Sequence, residues 1–171
     1  MTKDAAHYME VIGKKLLETV SDENHAAHGE FDKIDAKKLA RTLKDLRTAM
    51  DSLQPHIKKT FEEEQKLSIP ALDQKVRVII DEFKKMDAYS QELFRIANVL
   101  ENNDMFPSSE AKPLKDLRDG ITQSAFQIQE QYDELMVLVE QDESELHKLE
   151  NEAGNRHKWH KVSSLLKKSQ K

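Results

Sequence analysis

The sequence predicts an all-α protein: an antiparallel up-down helical bundle of three long helices plus a shorter N-terminal helix, with coiled-coil-like heptad packing. Three observations predict it. Apolar residues recur at alternating steps of three and four over stretches longer than any ordinary strand. Only four glycines and four prolines occur in 171 residues, too few for the turns of a sandwich, a barrel or a doubly wound sheet. Charged residues make up 35% and apolar residues 37%, a balance that suits long helices with narrow buried seams.

The first segment, from Lys3 to Val20, places Ala5, Met9, Ile12, Leu16 and Val20 on one stripe, with Tyr8 and Leu17 beside it. Gly13 lies next to that stripe and costs about 1 kcal/mol relative to alanine unless a neighbouring helix uses the gap. Residues 21–35 are rich in turn and cap formers and read as a partly helical connector, plugged into the core by Phe31 and Ile34. The second helix starts after an N-cap at Asp35. Its seam of Ala36, Leu39, Leu43, Leu46, Met50, Leu53 and Ile57 alternates threes and fours without a slip, which is the heptad pattern. Pro55 falls on the side away from that seam, so the spacing predicts a continuous, kinked helix rather than a break.

Ser68, Ile69 and Pro70 supply a cap and a first-turn proline for a third helix. Its seam is Leu72, Val76, Ile79, Phe83, Met86, Ser90, Leu93, Ala97 and Leu100. Ser90 interrupts the seam, and a serine there is expected to bond a carbonyl of its own helix. After a loop at 102–109, a fourth helix runs from Glu110 to Ala153 through Leu117, Ile121, Ala125, Ile128, Tyr132, Leu135, Val139, Leu146 and Leu149. Gly120 and Ser124 make a small-residue patch on it, read as local packing.

The second and third helices, of about 32 residues each, measure about 48 Å, whereas the fourth, of about 44, measures about 66 Å. The fourth should therefore pass its partners near Asp142 and project, carrying Leu146, Leu149 and Ala153 on an uncovered stripe.

Charge divides the chain into a helical bundle over residues 1–153 and a basic amphipathic tail over 154–171. The tail holds six cations (Arg156, Lys158, Lys161, Lys167, Lys168, Lys171) and no acid, and with the whole chain at −5 the remaining residues carry −11. Trp159, Val162, Leu165 and Leu166 share one helical face of the tail, an arrangement that fits acidic helical grooves, anionic membranes or nucleic acid. A tail folded back on the chain's own acidic body is the competing arrangement. With no apolar run near the roughly 20 residues that span a bilayer, and no basic-then-apolar signal at the N-terminus, the expected compartment is the cytoplasm.

Motifs for chemistry are sparse. Zero cysteine removes disulfides, thiolate metal sites and cysteine nucleophiles. His25 and His28, flanked by Asp22 and Asp32, have the ligand types for a metal but lie in a polar connector and read as surface histidines. Glu143, His147 and Glu150 share a face so crowded with acids that it reads as solvated. Neither a phosphate-cradling glycine loop nor a nucleophile elbow or His-Glu-x-x-His is present. These features predict no enzyme, no cofactor and no small-molecule substrate. The expectation is an interaction protein (adaptor, scaffold or chaperone-like binder) that meets a protein partner or forms a homodimer. The surface predicted for this is Leu146, Leu149, Ala153, Arg156, Lys158, Trp159, Lys161, Val162, Leu165, Leu166, Lys167 and Lys168. A regulator binding nucleic acid or an anionic membrane surface through the tail is the alternative, and a metal- or ligand-sensing bundle the third reading.

Overall fold

A computed structural model describes residues 3–64, 70–139, 162 and 165–168, with side chains described at 5–59, 74–134, 137, 162 and 165–168. In chain order the helices are α1 (Lys3–Glu18), α2 (Val20–Ala27), α3 (Ala36–Glu64), α4 (Pro70–Glu101) and α5 (Ala111–Val139). Single 3-10 turns at Phe31–Lys33 and Ser108–Glu110 lead into α3 and α5. The described chain is 90% helical, without a strand among the described residues, and α1 on α3, α3 on α4 and α4 on α5 pack antiparallel. The start of α5 returns to the α1–α2 junction, which closes the layer into a four-sided bundle.

The heptad of α3 is the wall of the core: Leu39, Leu43, Leu46, Met50, Leu53 and Ile57 are each at most 3% exposed. Asp35 caps the helix, its Oδ1 accepting the Lys38 backbone N–H at 3.1 Å. Pro55 lies exposed within the unbroken α3, on the side where water can serve the carbonyl that its missing N–H leaves free. Helix α4 is described from Pro70 on, and the expected cap at Ser68 lies outside the described residues. It contributes Val76, Ile79, Phe83, Met86, Leu93, Ala97 and Leu100 to the same core. From α5 come Leu114, Leu117, Ile121, Ala125, Ile128 and Tyr132.

Ser90 differs from its expected role. Instead of bonding its own helix it donates to Asp51 Oδ1 at 2.8 Å and accepts from Arg47 Nε at 3.1 Å, both on α3. The reason is geometric: a seam serine opposite two charged residues gains charge-assisted bonds that a carbonyl of its own helix cannot match. Those bonds form in one axial register of α3 against α4, so the interruption sets alignment. Gly120 serves packing, because a Cβ there would lie 2.7 Å from the Tyr89 ring that covers it from α4. Gly13 is buried.

The N-terminal region departs most from the expected connector. Helix α1 stops at Glu18 and resumes one residue later as α2. At the junction Thr19 Oγ1 donates to the Leu16 carbonyl at 2.7 Å. Arg118 of α5, only 5% exposed, donates through Nε to Thr19 Oγ1 at 3.2 Å and to the Leu16 carbonyl at 3.4 Å, and its Nη1 pairs with Glu23 at 2.9 Å. The break thus frees backbone acceptors that a buried arginine satisfies. Gly29, at φ +70, then turns the chain as glycine alone does without strain. Phe31 stacks on Phe106 with centroids 5.8 Å apart and Ile34 is 5% exposed, so both plugs are where the sequence predicted them.

Candidate partner-binding surface

Val162 and Leu165–Lys168 are helical, and residues four apart in a helix share a face. The pair that this rule selects is Val162 and Leu166, which are 8% and 0% exposed and belong to the same hydrophobic core as the bundle. Leu165, one position round, is 50% exposed. Lys167 Nζ sits 5.3 Å from the centre of the Phe126 ring of α5, a cation–π distance, and Lys168 is exposed. The segment therefore lies on its own chain, with Val162 and Leu166 inward, Lys167 reaching over Phe126, and Leu165 and Lys168 at the surface.

Part of the expected surface thus packs on the chain itself. Val162 and Leu166 are covered by the bundle itself, where burying each large apolar side chain is worth roughly 1.5–3 kcal/mol. Leu165, Lys167 and Lys168 remain at the surface. Leu146, Leu149, Ala153, Arg156, Lys158, Trp159 and Lys161 lie outside the described residues, as do Asp142 and the Glu143, His147, Glu150 face.

The histidine pair does not converge. His28 Nδ1–H donates to the Asn24 carbonyl at 2.7 Å, while His25 Nδ1 faces Glu30 at 3.7 Å. Among the described residues no three histidine, aspartate or glutamate side chains gather as a metal site. Beside them, burial pushes the Asp22 carboxyl up, with His25 and Lys38 pulling it the other way. Burial also raises the Glu23 carboxyl, outweighing the neighbouring Arg118. A hydrogen bond from Lys33 holds the exposed Glu30 carboxyl below the ordinary glutamate value. A small pocket lined by Leu16, Leu43, Leu93, Leu114 and Arg118 measures about 10 Å³, too small for a metabolite. Among the described residues no helix is long and apolar enough to cross a membrane.

One charged feature escaped the segment-by-segment reading of the sequence. Residues 36–59 hold seven cations and two acids, a net +5 in a chain of net −5. The signal was present as Lys37, Arg41 and Lys44, spaced by four and three on the face opposite the leucine seam. It is visible only when charge is summed by helix face.

No protein-family model, no curated protein and no solved structure matches the chain, so its class rests on the fold: an all-α, up-down helical bundle.

Proposed function

We propose that the protein is a non-enzymatic, cytoplasmic helical-bundle interaction protein, an adaptor, scaffold or chaperone-like binder. It would engage a protein partner or a second copy of itself through the end of the last long helix and the basic tail. The observation that carries this reading is the sidedness of the tail. Val162 and Leu166 anchor it to the bundle while Leu165 stays half exposed beside the exposed Lys167 and Lys168. An anchored segment presents such a group in a preset orientation, which reduces the ordering cost of binding. Supporting it, the sequence carries neither a nucleotide-binding nor a nucleophile motif.

The test is capture of partners by the full chain, by a chain ending at Asn155 and by a Leu165→Glu variant, each first shown by circular dichroism to be folded. Sedimentation equilibrium of the full chain and of a Leu146→Glu, Leu149→Glu variant runs beside it. The expected result is a dimer or a captured protein that is lost in the variants. A monomer at tens of micromolar in both forms, with capture unchanged by truncation, would end the proposal. The exposed cations also favour a second reading, contact with nucleic acid or an anionic membrane through the tail. Salt separates the two, because phosphate contacts weaken steeply with ionic strength and an apolar seam does not.

A further inference from the structure

The outward face of α3 is basic from Lys37 to Lys59, ahead of the Glu62-Glu63-Glu64 run that ends the helix. Lys37, Lys38 and Arg41 are exposed and make no ion pair among the described residues, and the same holds for Lys58 and Lys59 a few turns on. The two acids of residues 36–59 are already engaged: Asp45 pairs with Lys15 at 3.5 Å, and Asp51 accepts from Ser90 at 2.8 Å. Between the cations the exposed side carries Thr48 and Pro55. None of the large exposed apolar residues described, Ile80, Phe94, Met105, Val137 and Leu165, lies on α3. From Lys37 to Lys59 the face runs about 33 Å, close to one turn of duplex DNA.

We propose that this face binds the phosphate backbone of duplex DNA without reading its sequence. The choice follows from what the face lacks. A protein interface needs an apolar or aromatic anchor at its centre and is depleted in lysine. Stable attachment to a membrane needs inserted apolar side chains. Single-stranded nucleic acid is held by stacking on several aromatic rings, whereas here the ring of His56 packs on Tyr8 and that of Phe94 is engaged by Arg47. A row of lysines and an arginine on a helix that itself presents no large exposed apolar side chain, with the Phe94 ring of α4 lying under Arg47 at 4.8 Å, matches an array of phosphates. A convex helix face also suits the open major groove of B-form DNA rather than the narrow one of A-form RNA. This inference rests on α3 and not on the tail, so it stands or falls separately from the function proposed above.

The experiment measures anisotropy of a labelled 30-base-pair DNA duplex against the full-length protein across a salt series. Three variants accompany it: Lys37→Gln, Lys38→Gln, Arg41→Gln together; Lys58→Gln, Lys59→Gln together; and Lys167→Gln, Lys168→Gln together. All are surface changes, with helicity checked by circular dichroism. Binding of the parent is expected at about 50 mM salt and should weaken by about 100- to 1,000-fold at about 200 mM, as about five phosphate contacts require. The triple variant should bind at least about tenfold more weakly, with a log–log salt slope lower by about 2 to 3. The Lys58, Lys59 variant should show a smaller loss of the same kind, and the tail variant none. Absence of binding at low salt, a triple variant that binds like the parent, or a loss confined to the tail variant would each overturn the proposal. So would tighter binding to phosphatidylserine vesicles or to polyglutamate than to the duplex.

Discussion

Single residues show two kinds of position: those whose role their own spacing declares, and those whose role depends on what lies opposite. Leu46 is the first kind, 1% exposed at the middle of the α3 heptad, and Leu46→Ala should lower unfolding free energy by about 2–4 kcal/mol, measurable as a shift of the denaturant midpoint. Ser90 and Arg118 are the second kind. Polar residues on otherwise apolar faces are legible as anomalies, but the partners that explain them lie 39 to 102 residues away in the chain, beyond any local pattern. Asp22 belongs here too. Its carboxyl is raised chiefly by burial, so the folded state disfavours its charged form, and that penalty is present above its folded pKa. As pH falls through the folded value toward the unfolded one, the penalty is relieved. Asp22→Asn should therefore stabilise the protein at neutral pH by less than about 1 kcal/mol, given its partial exposure. The advantage should vanish on acidification through the carboxylate range, as followed by thermal melts at pH 7 and pH 3.

At the scale of elements, the three long helices were legible because their seams recur at steps of three and four, and because Asp35 caps α3 where the sequence places it. The α1–α2 junction was not, since nothing within Glu18, Thr19 and Val20 announces that the helix resumes; Arg118, from α5, makes the break tolerable. The tail lies between these cases. Its amphipathic pattern was plain, yet a pattern states only that one face wants cover and not which surface supplies it. The register of the docked segment then separates two adjacent leucines. Leu166, at 0% exposure, and Leu165, at 50%, differ only in which way they point. Leu166→Ala should cost about 2–4 kcal/mol and Leu165→Ala under about 0.5 kcal/mol, read from urea unfolding of the full chain. Equal costs would mean that the segment docks in another register. A second element-scale test uses the α4–α5 contact. Gly120→Ala gains helix propensity but displaces the Tyr89 ring, so in a Tyr89→Ala background the same change should stabilise by about 0.5–1 kcal/mol more than in the parent.

For the molecule as a whole, charge and burial act on the same segment. Val162 and Leu166 tie the tail into the core, and the tail carries six cations against a remainder at −11. A chain ending at Asn155 therefore loses both an apolar cover and six of its 27 cations, taking its net charge from −5 to −11. The first loss is at most about 3–6 kcal/mol for two large side chains and less where the uncovered site collapses. The heptads of α3, α4 and α5 form most of the core without it, so the truncated chain should still unfold cooperatively, at a lower denaturant midpoint. The second loss is electrostatic. The truncated chain is left with its negative charges unbalanced, and self-repulsion among them weakens as added salt shortens the screening length to about 8 Å at 0.15 M. Salt should consequently stabilise the truncated chain more than the full one, narrowing the gap between their midpoints from about 0.02 M to about 0.3 M sodium chloride. If the two midpoints coincide at low salt, the tail contributes neither cover nor charge. If the gap is wide but insensitive to salt, burial of Val162 and Leu166 alone accounts for it, and the cations of the tail are left available for contacts outside the chain.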